Sequence, residues 1–490
     1  MLLFAILACT STDDAGASLS VTEGSLRNAE AAGGDAGDGT TGGADSGASD
    51  DEDSQDDTDV ADADLVRQTP GSLHLPDLAG KNIVVLHIDT LRADHLAAYG
   101  YFRNTLPRLS ARQWLAVDGE IASSSWTLPS TVSFFTGLDA ATHDVRYLDQ
   151  GKPNHRLDKT TFAERLTNEG YATGVITGNL MASSQTKITD GFSYEVANAK
   201  VPTSARINSV ELADAALYYV DGLPADQPFM LHIQPMDLHS PLVPPSAYQG
   251  TYTDDIPFKT EGATMNGQED EIKNMLLNAH ELADRTRIVS ALNGAYDESM
   301  LGLDEGLDRV ISGLESRGML ADTVVILTAD HGEELDDADD AILGHGGNLR
   351  ESTIHIPMMI LSPELAPGSA TCRMRNYDVW PTLFSAMGLG VPEGLDGVDL
   401  AEGCPAVAAS AVWDMTGRLM LVSADGGRSK LTADCPIGGV RRGINLGRGY
   451  EAHEAGDPDT ISDADTVEAN IAADILDIEA HNPQSECHIE

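Results

Sequence analysis

Positive charge is scarce in this chain. Its 490 residues carry 30 Lys and Arg against 78 Asp and Glu, a formal net charge of −48. Such a surface repels phosphate backbones and anionic headgroups, which excludes nucleic acid and acidic membrane surfaces as partners. Cysteine is scarce as well: there are five, and their spacing matches no zinc motif. After the first nine residues no segment is apolar and long enough to span a bilayer. A small anionic substrate suits so acidic a protein only if a bound cation reverses the local field.

The first nine residues, Met-Leu-Leu-Phe-Ala-Ile-Leu-Ala8-Cys9, are a short apolar run closing on a small residue and cysteine. The run lacks a basic n-region but resembles a bacterial lipoprotein signal. Cys9 would then carry the lipid and be the only membrane contact, and the protein would be exported to the cell envelope (outer membrane or periplasm) or secreted. Residues 10–72 are rich in Asp, Gly, Ser, Thr and Ala; between Asp13 and Asp64 there are 16 acids against one base, Arg27. So little apolar surface cannot offset the entropy of ordering, and the segment reads as a disordered acidic linker. Cys372, Cys404, Cys435 and Cys487 are an even set in the last quarter of the chain. In an exported protein they imply two disulfides, with the pairing open.

Globular patterning starts at Lys81, and residues 80–400 read as one catalytic domain. Ile83–Ile88 is a buried strand by length and β-branching. A short helix follows Pro129 and stops at Gly137. Thr161-Phe-Ala-Glu164 is a capping box for a helix ending at Gly170, and Tyr171–Thr177 is a strand. A helix over 209–221, a strand at Phe229–Ile233, a long helix over 285–317 and a strand at Thr323–Thr328 continue the alternation. In the long helix Leu307, Val310, Ile311 and Leu314 fall at i, i+3, i+4 and i+7. The expected fold is α/β, a doubly wound, mostly parallel sheet flanked by helices. Residues 401–490, with a strand near 418–422 and an acidic helical stretch, read as a small C-terminal subdomain.

Three segments carry chemistry. Ile83-Val-Val-Leu-His-Ile-Asp89 and Val324-Val-Ile-Leu-Thr-Ala-Asp330-His331-Gly332 are apolar strands ending in acids. Ligands bind at such strand ends in doubly wound sheets. Asp89, Asp330 and His331 therefore read as metal ligands; the oxygen-rich set suits Ca²⁺, Mg²⁺ or Mn²⁺, and the imidazole also admits Zn²⁺. Between them Ser125-Trp-Thr127-Leu-Pro129-Ser130 sets a hydroxyl at a helix start. A cation and the helix N-terminus would both stabilise the alkoxide of Thr127, which makes it the candidate nucleophile and a further ligand.

With Trp126-Thr-Leu-Pro-Ser, Met236-Asp-Leu-His-Ser-Pro241, Thr328-Ala-Asp-His-Gly-Glu-Glu, Gly344-His-Gly-Gly-Asn-Leu-Arg-Glu, Asp378-Val-Trp-Pro-Thr-Leu-Phe and Gly394-Leu-Asp-Gly-Val-Asp-Leu, the chain resembles the sulfatase family of the alkaline phosphatase superfamily from Lys81 to Leu400. The resemblance makes Asp89, Asp330 and His331 ligands of one divalent cation and Thr127 a nucleophile touching it. His239 would contact the transferred group or protonate the leaving oxygen, and His345 would supply another substrate contact. Two departures stand out. The family uses Cys or Ser, oxidised to formylglycine, in Cys/Ser-x-Pro-Ser-Arg; here Thr127 cannot form an aldehyde and Thr131 replaces Arg. The family's Gly-Lys-Trp-His becomes Gly178-Asn179-Leu180-Met181. Phosphothreonine can be hydrolysed by in-line attack of water, whereas a sulfated threonine lacks the family's elimination route. The expectation is a metal-dependent hydrolase of phosphodiesters, phosphomonoesters or phosphonates. The alternatives are a sulfatase using unmodified threonine and a non-catalytic surface binding protein. Arg92 and Asp94 read as a pair beside the site. The run Asp336-Asp-Ala-Asp-Asp340 reads as a solvated loop on its border, with a second cation or substrate repulsion as its other uses.

Overall fold

The structure, a computed structural model, describes residues 65–145, 157–197, 207–338, 340–348 and 350–405, with short strands at 148–149, 152–153, 412–413, 419–422 and 430–433. Eight strands build the main sheet: β1 (Asn82–Ile88), β2 (Leu115–Ile121), β3 (Ala172–Thr177), β4 (Tyr194–Ala197), β5 (Phe229–Gln234), β6 (Thr323–Ala329), β7 (His355–Leu361) and β8 (Gly368–Arg375). Their order is β8-β2-β7-β6-β1-β5-β3-β4. All neighbours run parallel except β7, which is antiparallel to both β2 and β6. The doubly wound, mostly parallel sheet expected from strand–helix alternation is the fold.

Helices cover both faces: α1 (Thr127–Thr136), α2 (Phe162–Asn168), α3 (Ser209–Asp221), α4 (Met265–Asn278), α5 (Leu282–Ser316) and α6 (Val379–Ala386). The central strand β1 shows why its residues are mostly apolar. Val84, Leu86 and Ile88 pack into one core with Leu307, Val310, Ile311 and Leu314 of α5. Ile83 and Val85 enter the other core, with Phe134 of α1 and Trp380 of α6. Alternate side chains meet helices on opposite faces, so every residue of the strand after Asn82 is buried. At the start of α2, the Thr161 hydroxyl accepts from Glu164 N–H at 3.2 Å while Thr161 N–H donates to Glu164 Oε2 at 2.7 Å. Helix α1 opens at Thr127, two residues before Pro129, and closes on Gly137 at φ 73°. Thr127 thus lies inside the first turn.

The antiparallel strand β7 contains Pro357, which lacks an N–H to donate, and its pairing with β2 shifts register between Ile356 and Met358. Tyr99 repairs the break. Its hydroxyl accepts from Met358 N–H and donates to Met358 C=O, both at 2.8 Å.

The folded body begins earlier and ends later than the sequence boundaries at 72 and 401. Val66 bridges to Leu365, and Leu73 and Leu78 are buried in the core. Cys404 N–H donates to Gly71 C=O at 2.7 Å. These contacts are long-range, which is why local composition did not place 65–72 in the body. A disulfide joins Cys372 and Cys404, with Cα atoms 5.3 Å apart. Beyond them, Val412–Trp413, Leu419–Val422 and Lys430–Ala433 form a separate three-stranded antiparallel sheet. The Cys9 signal, residues 10–64, Cys435, Cys487 and the acidic helical stretch lie outside the described residues. No helix among the described residues is long and apolar enough to cross a membrane.

Candidate active site

Parallel pairing places Ile88 level with Ala329, so the chain leaves β1 and β6 at the same edge and delivers Asp89 and Asp330 side by side. Together with His331 they offer ligand atoms within 4.8 Å of one another, all fully buried. Each side chain is oriented by its neighbours. Asp330 Oδ1 accepts from the N–H groups of Thr90 (3.2 Å) and His331 (2.8 Å), and Oδ2 from Gln234 Nε2 (3.1 Å). Asp89 Oδ2 accepts from Asn179 Nδ2 at 2.5 Å, while its Oδ1 is buried with no hydrogen-bond partner. His331 Nδ1 donates to Gly332 C=O at 2.9 Å, which leaves Nε2 as a lone pair 3.6 Å from Asp330 Oδ2 and 3.9 Å from Asp89 Oδ1.

Two buried carboxylates and a neutral imidazole facing one another are costly as they stand. Burial, and then the charge of Asp89, push the Asp330 carboxyl well above the usual carboxylate range. Burial, and then His345, hold the His331 imidazole well below its ordinary value. The orphaned Asp89 oxygen and this donor set fit a divalent cation, with Asp89, Asp330, His331 and Thr127 to hold it. Thr90 sits at φ 61°, an unusual conformation for a β-branched residue, directly after the first ligand.

Thr127 brings its hydroxyl 3.3 Å from His331 Nε2. It reaches this spot because α1 is bolted to the end of β6: the Ser130 hydroxyl donates to Asp330 C=O at 2.5 Å, and Asn376 Nδ2 donates to the Ser130 hydroxyl at 2.9 Å. The free N–H groups of the first helical turn therefore converge on the same place. Gly332 is equally constrained: a Cβ there would lie 2.0 Å from Ser352 C=O, so the residue after His331 has no room for a side chain.

His239 and His345 complete the ring. His345 lies tilted against His331 with centroids 4.4 Å apart, and His239 meets His345 edge-on at 4.7 Å. Both turn Nδ1 away from the centre, His239 toward Ser240 C=O at 2.7 Å and His345 toward the buried Glu333 carboxylate at 3.2 Å. Burial pulls the His345 pKa down, but the charge and hydrogen bond of Glu333 outweigh it and the net shift is upward. The structure thus brings together all six residues singled out in the sequence.

Asn179 is the residue that sequence reasoning undervalued. Read only as a lost cationic contact, it places Nδ2 3.2 Å from the Thr127 hydroxyl while also touching Asp89. Its neutral N–H is aimed at the candidate nucleophile, and if charge develops there Asn179→Ala is expected to lower kcat by about 10²–10³ with a smaller change in KM, measured by steady-state kinetics.

In the acidic run after the Asp-His-Gly motif Asp337, Ala338 and Asp340 are exposed, as expected of a solvated loop, but each described acid is paired. Asp336 is buried against Arg285, Asp337 pairs with Arg92 at 2.8 Å, and Asp340 pairs with Arg350. Arg92 also holds Asp94 at 2.7 Å, the pairing expected. Arginines more than 50 residues from most of these acids supply the countercharge, a match that local charge counting misses.

Comparison with known proteins adds relatives to this geometry. A family model described as Sulfatase matches residues 81–389. An arylsulfatase of Clostridium perfringens is 23% identical over 384 residues, 66% of this chain and 78% of its own length. The fold is shared with a phosphonate monoester hydrolase from Silicibacter pomeroyi, with a TM-score of 0.59 at 19% identity, covering 82% of this chain and 96% of that one. It is also shared with a protein solved in complex with its substrate D-glucosamine-2-N,6-O-disulfate, with a TM-score of 0.61 at 15% identity, covering 83% and 99%.

Proposed function

The chain belongs to the sulfatase family, hydrolases of sulfuric and phosphoric esters, and from that premise we propose that it hydrolyses monoanionic phosphoesters, phosphodiesters or phosphonate monoesters, through Thr127. The observation that carries this reading is the Thr127 hydroxyl, 3.3 Å from His331 Nε2 at the mouth of the Asp89–Asp330–His331 cluster. A threonine has no aldehyde through which to expel sulfate, whereas its phosphoester is open to in-line attack by water.

Charge balance narrows the substrate further. Asp89 and Asp330 neutralise one divalent cation, and Arg92, Arg285 and Arg350 are already engaged with carboxylates. Asn179 contributes a neutral donor. Such a site matches one negative charge on the transferred group better than the two of a phosphomonoester. When bound, a divalent cation lowers the cost of ionising the Thr127 hydroxyl and draws charge from the transferred group. Asn179 and the first-turn N–H groups of α1 stabilise the oxygens of that group, and His239 and His345 turn their Nε2 atoms toward the leaving side.

Export is part of the reading: the Cys372–Cys404 disulfide and the Ala8-Cys9 close both suit an oxidising compartment. The test uses purified protein, chelated and reloaded with Ca²⁺, Mg²⁺, Mn²⁺ or Zn²⁺, on chromogenic phosphodiester, phosphonate, phosphomonoester and sulfate substrates. Phosphodiester or phosphonate kcat/KM should exceed the other two at least about tenfold, a difference of ~1.4 kcal/mol in transition-state binding. Sulfate turnover in the lead would overturn the phosphoryl reading. Silence on all four with the cation bound would favour a surface binding protein.

A further inference from the structure

Two adjacent parallel strands carry the same pattern, Leu86-His87-Ile88-Asp89 from β1 and Leu231-His232-Ile233-Gln234 in β5. The chemistry proposed above uses only the last residue of the first. Leu86 pairs with Ile233, which sets His87 level with Gln234, and His87 pairs on its other side with Thr328. Side chains two apart on a strand share a face, so His87 lies one layer beneath Asp89, His232 beneath Gln234, and Thr328 beneath Asp330. A polar layer thus underlies the candidate cation site, between central strands whose other buried residues are mainly apolar.

The layer is sealed by α1. His87 stacks on Phe134 at 4.6 Å, His232 meets Phe135 edge-on at 4.8 Å, and the two imidazoles are 5.0 Å apart. Both histidines are fully buried, and all four ring nitrogens lack a well-aligned hydrogen bond, as does Gln234 Oε1. Buried polar groups of this kind are retained at a cost and call for a reason.

Gln234 links the layer to the site. Its Nε2 donates to Asp330 Oδ2 at 3.1 Å, and its side chain lies within range of both imidazoles. The two ends of a primary amide have the same shape, so only their surroundings decide which end points where. Each neutral imidazole carries one N–H, which favours Oε1 toward the rings and Nε2 toward the carboxylate. The consequence falls on Asp330. With Oδ1 occupied by two backbone N–H groups, Oδ2 is the oxygen free to meet a cation, and Gln234 fixes its direction.

We propose that Gln234 is a positioning residue for the cation, aiming Asp330 Oδ2, and that His87 and His232 set the orientation of its amide. The proposal rests on the cation site of the functional reading, so wild type and variants are titrated side by side. Full-length protein is chelated and titrated calorimetrically with Mg²⁺, Mn²⁺ and Ca²⁺. Gln234→Leu should weaken binding about 10–100-fold while the melting temperature of the chelated protein stays near wild type. His232→Phe, which keeps the packing against Phe135 and removes the N–H, should weaken it several-fold. If Gln234→Leu does not fold by circular dichroism, Gln234→Met is measured with the same expectation. Affinity within twofold of wild type in a folded Gln234 variant overturns the proposal and leaves the cation site standing. A lower melting temperature with unchanged affinity marks a merely structural role and overturns it too. A wild-type protein that binds none of the three cations overturns the site reading and this proposal together.

Discussion

Thr127→Ala is expected to remove about four to six orders of magnitude from kcat, because under the proposed function it deletes the atom that makes the new bond. The loss should be chemical, with the fold intact. The hydroxyl bonds to His331 Nε2 and Asn179 Nδ2 and lies against Asp330, all residues of the site, and α1 is fastened through Ser130 and Asn376. Cation affinity should fall far less than activity, since Asp89, Asp330 and His331 remain. Rapid-quench mass spectrometry of the wild type should find a phosphoryl adduct on the peptide containing Thr127, and none in the variant. Thr127→Ser should keep part of the activity, as the hydroxyl stays near the same place. A Thr127→Ala enzyme within tenfold of wild type would mean that water attacks directly and Thr127 only helps to hold the cation.

Chelation is expected to abolish turnover and also to lower stability, because it leaves two buried carboxylates facing each other. A cation present at about a hundred times its Kd adds roughly 2.7 kcal/mol to the folded state, which chelation removes. The sign of the pH dependence follows from Asp330, whose folded carboxyl is pushed above its ordinary value by burial and by Asp89. In the unfolded chain it ionises in the usual carboxylate range; in the chelated fold it resists. Stability of the chelated protein should therefore fall as pH rises above that range, until the folded group ionises as well. Asp330→Asn should cancel this fall, making the chelated protein more stable than wild type near neutral pH, while destroying cation binding. Denaturant melts with and without chelator, across pH, read both effects. An Asn variant less stable than wild type in chelator would show that Asp330 is held by its hydrogen bonds rather than strained by its neighbour.

The residues legible in the sequence were those whose position follows from their own strand or helix. Asp89, Asp330 and His331 are the first residues past apolar strands, and Thr127 opens a helix marked by Pro129 and Gly137. Asn179, Gln234 and Glu333 were not legible, because what matters in each is a partner on another strand or loop. The same limit applied to the fold. Strands β2, β7 and β8 lack clean alternation: β2 has Asp118-Gly119-Glu120 in its middle and β7 holds Pro357, so neither has a strand's pattern by itself. The arginines that silence Asp336, Asp337 and Asp340 come from three separate segments.

The reversed direction of β7 has a consequence for how the molecule faces its surroundings. Its last residue, Leu361, pairs with Val325 near the beginning of β6, so the chain just beyond it returns to the edge opposite Asp89 and Asp330. Val66 is bridged to Leu365 in that stretch. Val66 is therefore fastened at the edge of the sheet remote from Asp89 and Asp330, so the candidate site and this upstream end of the described chain lie on opposite sides.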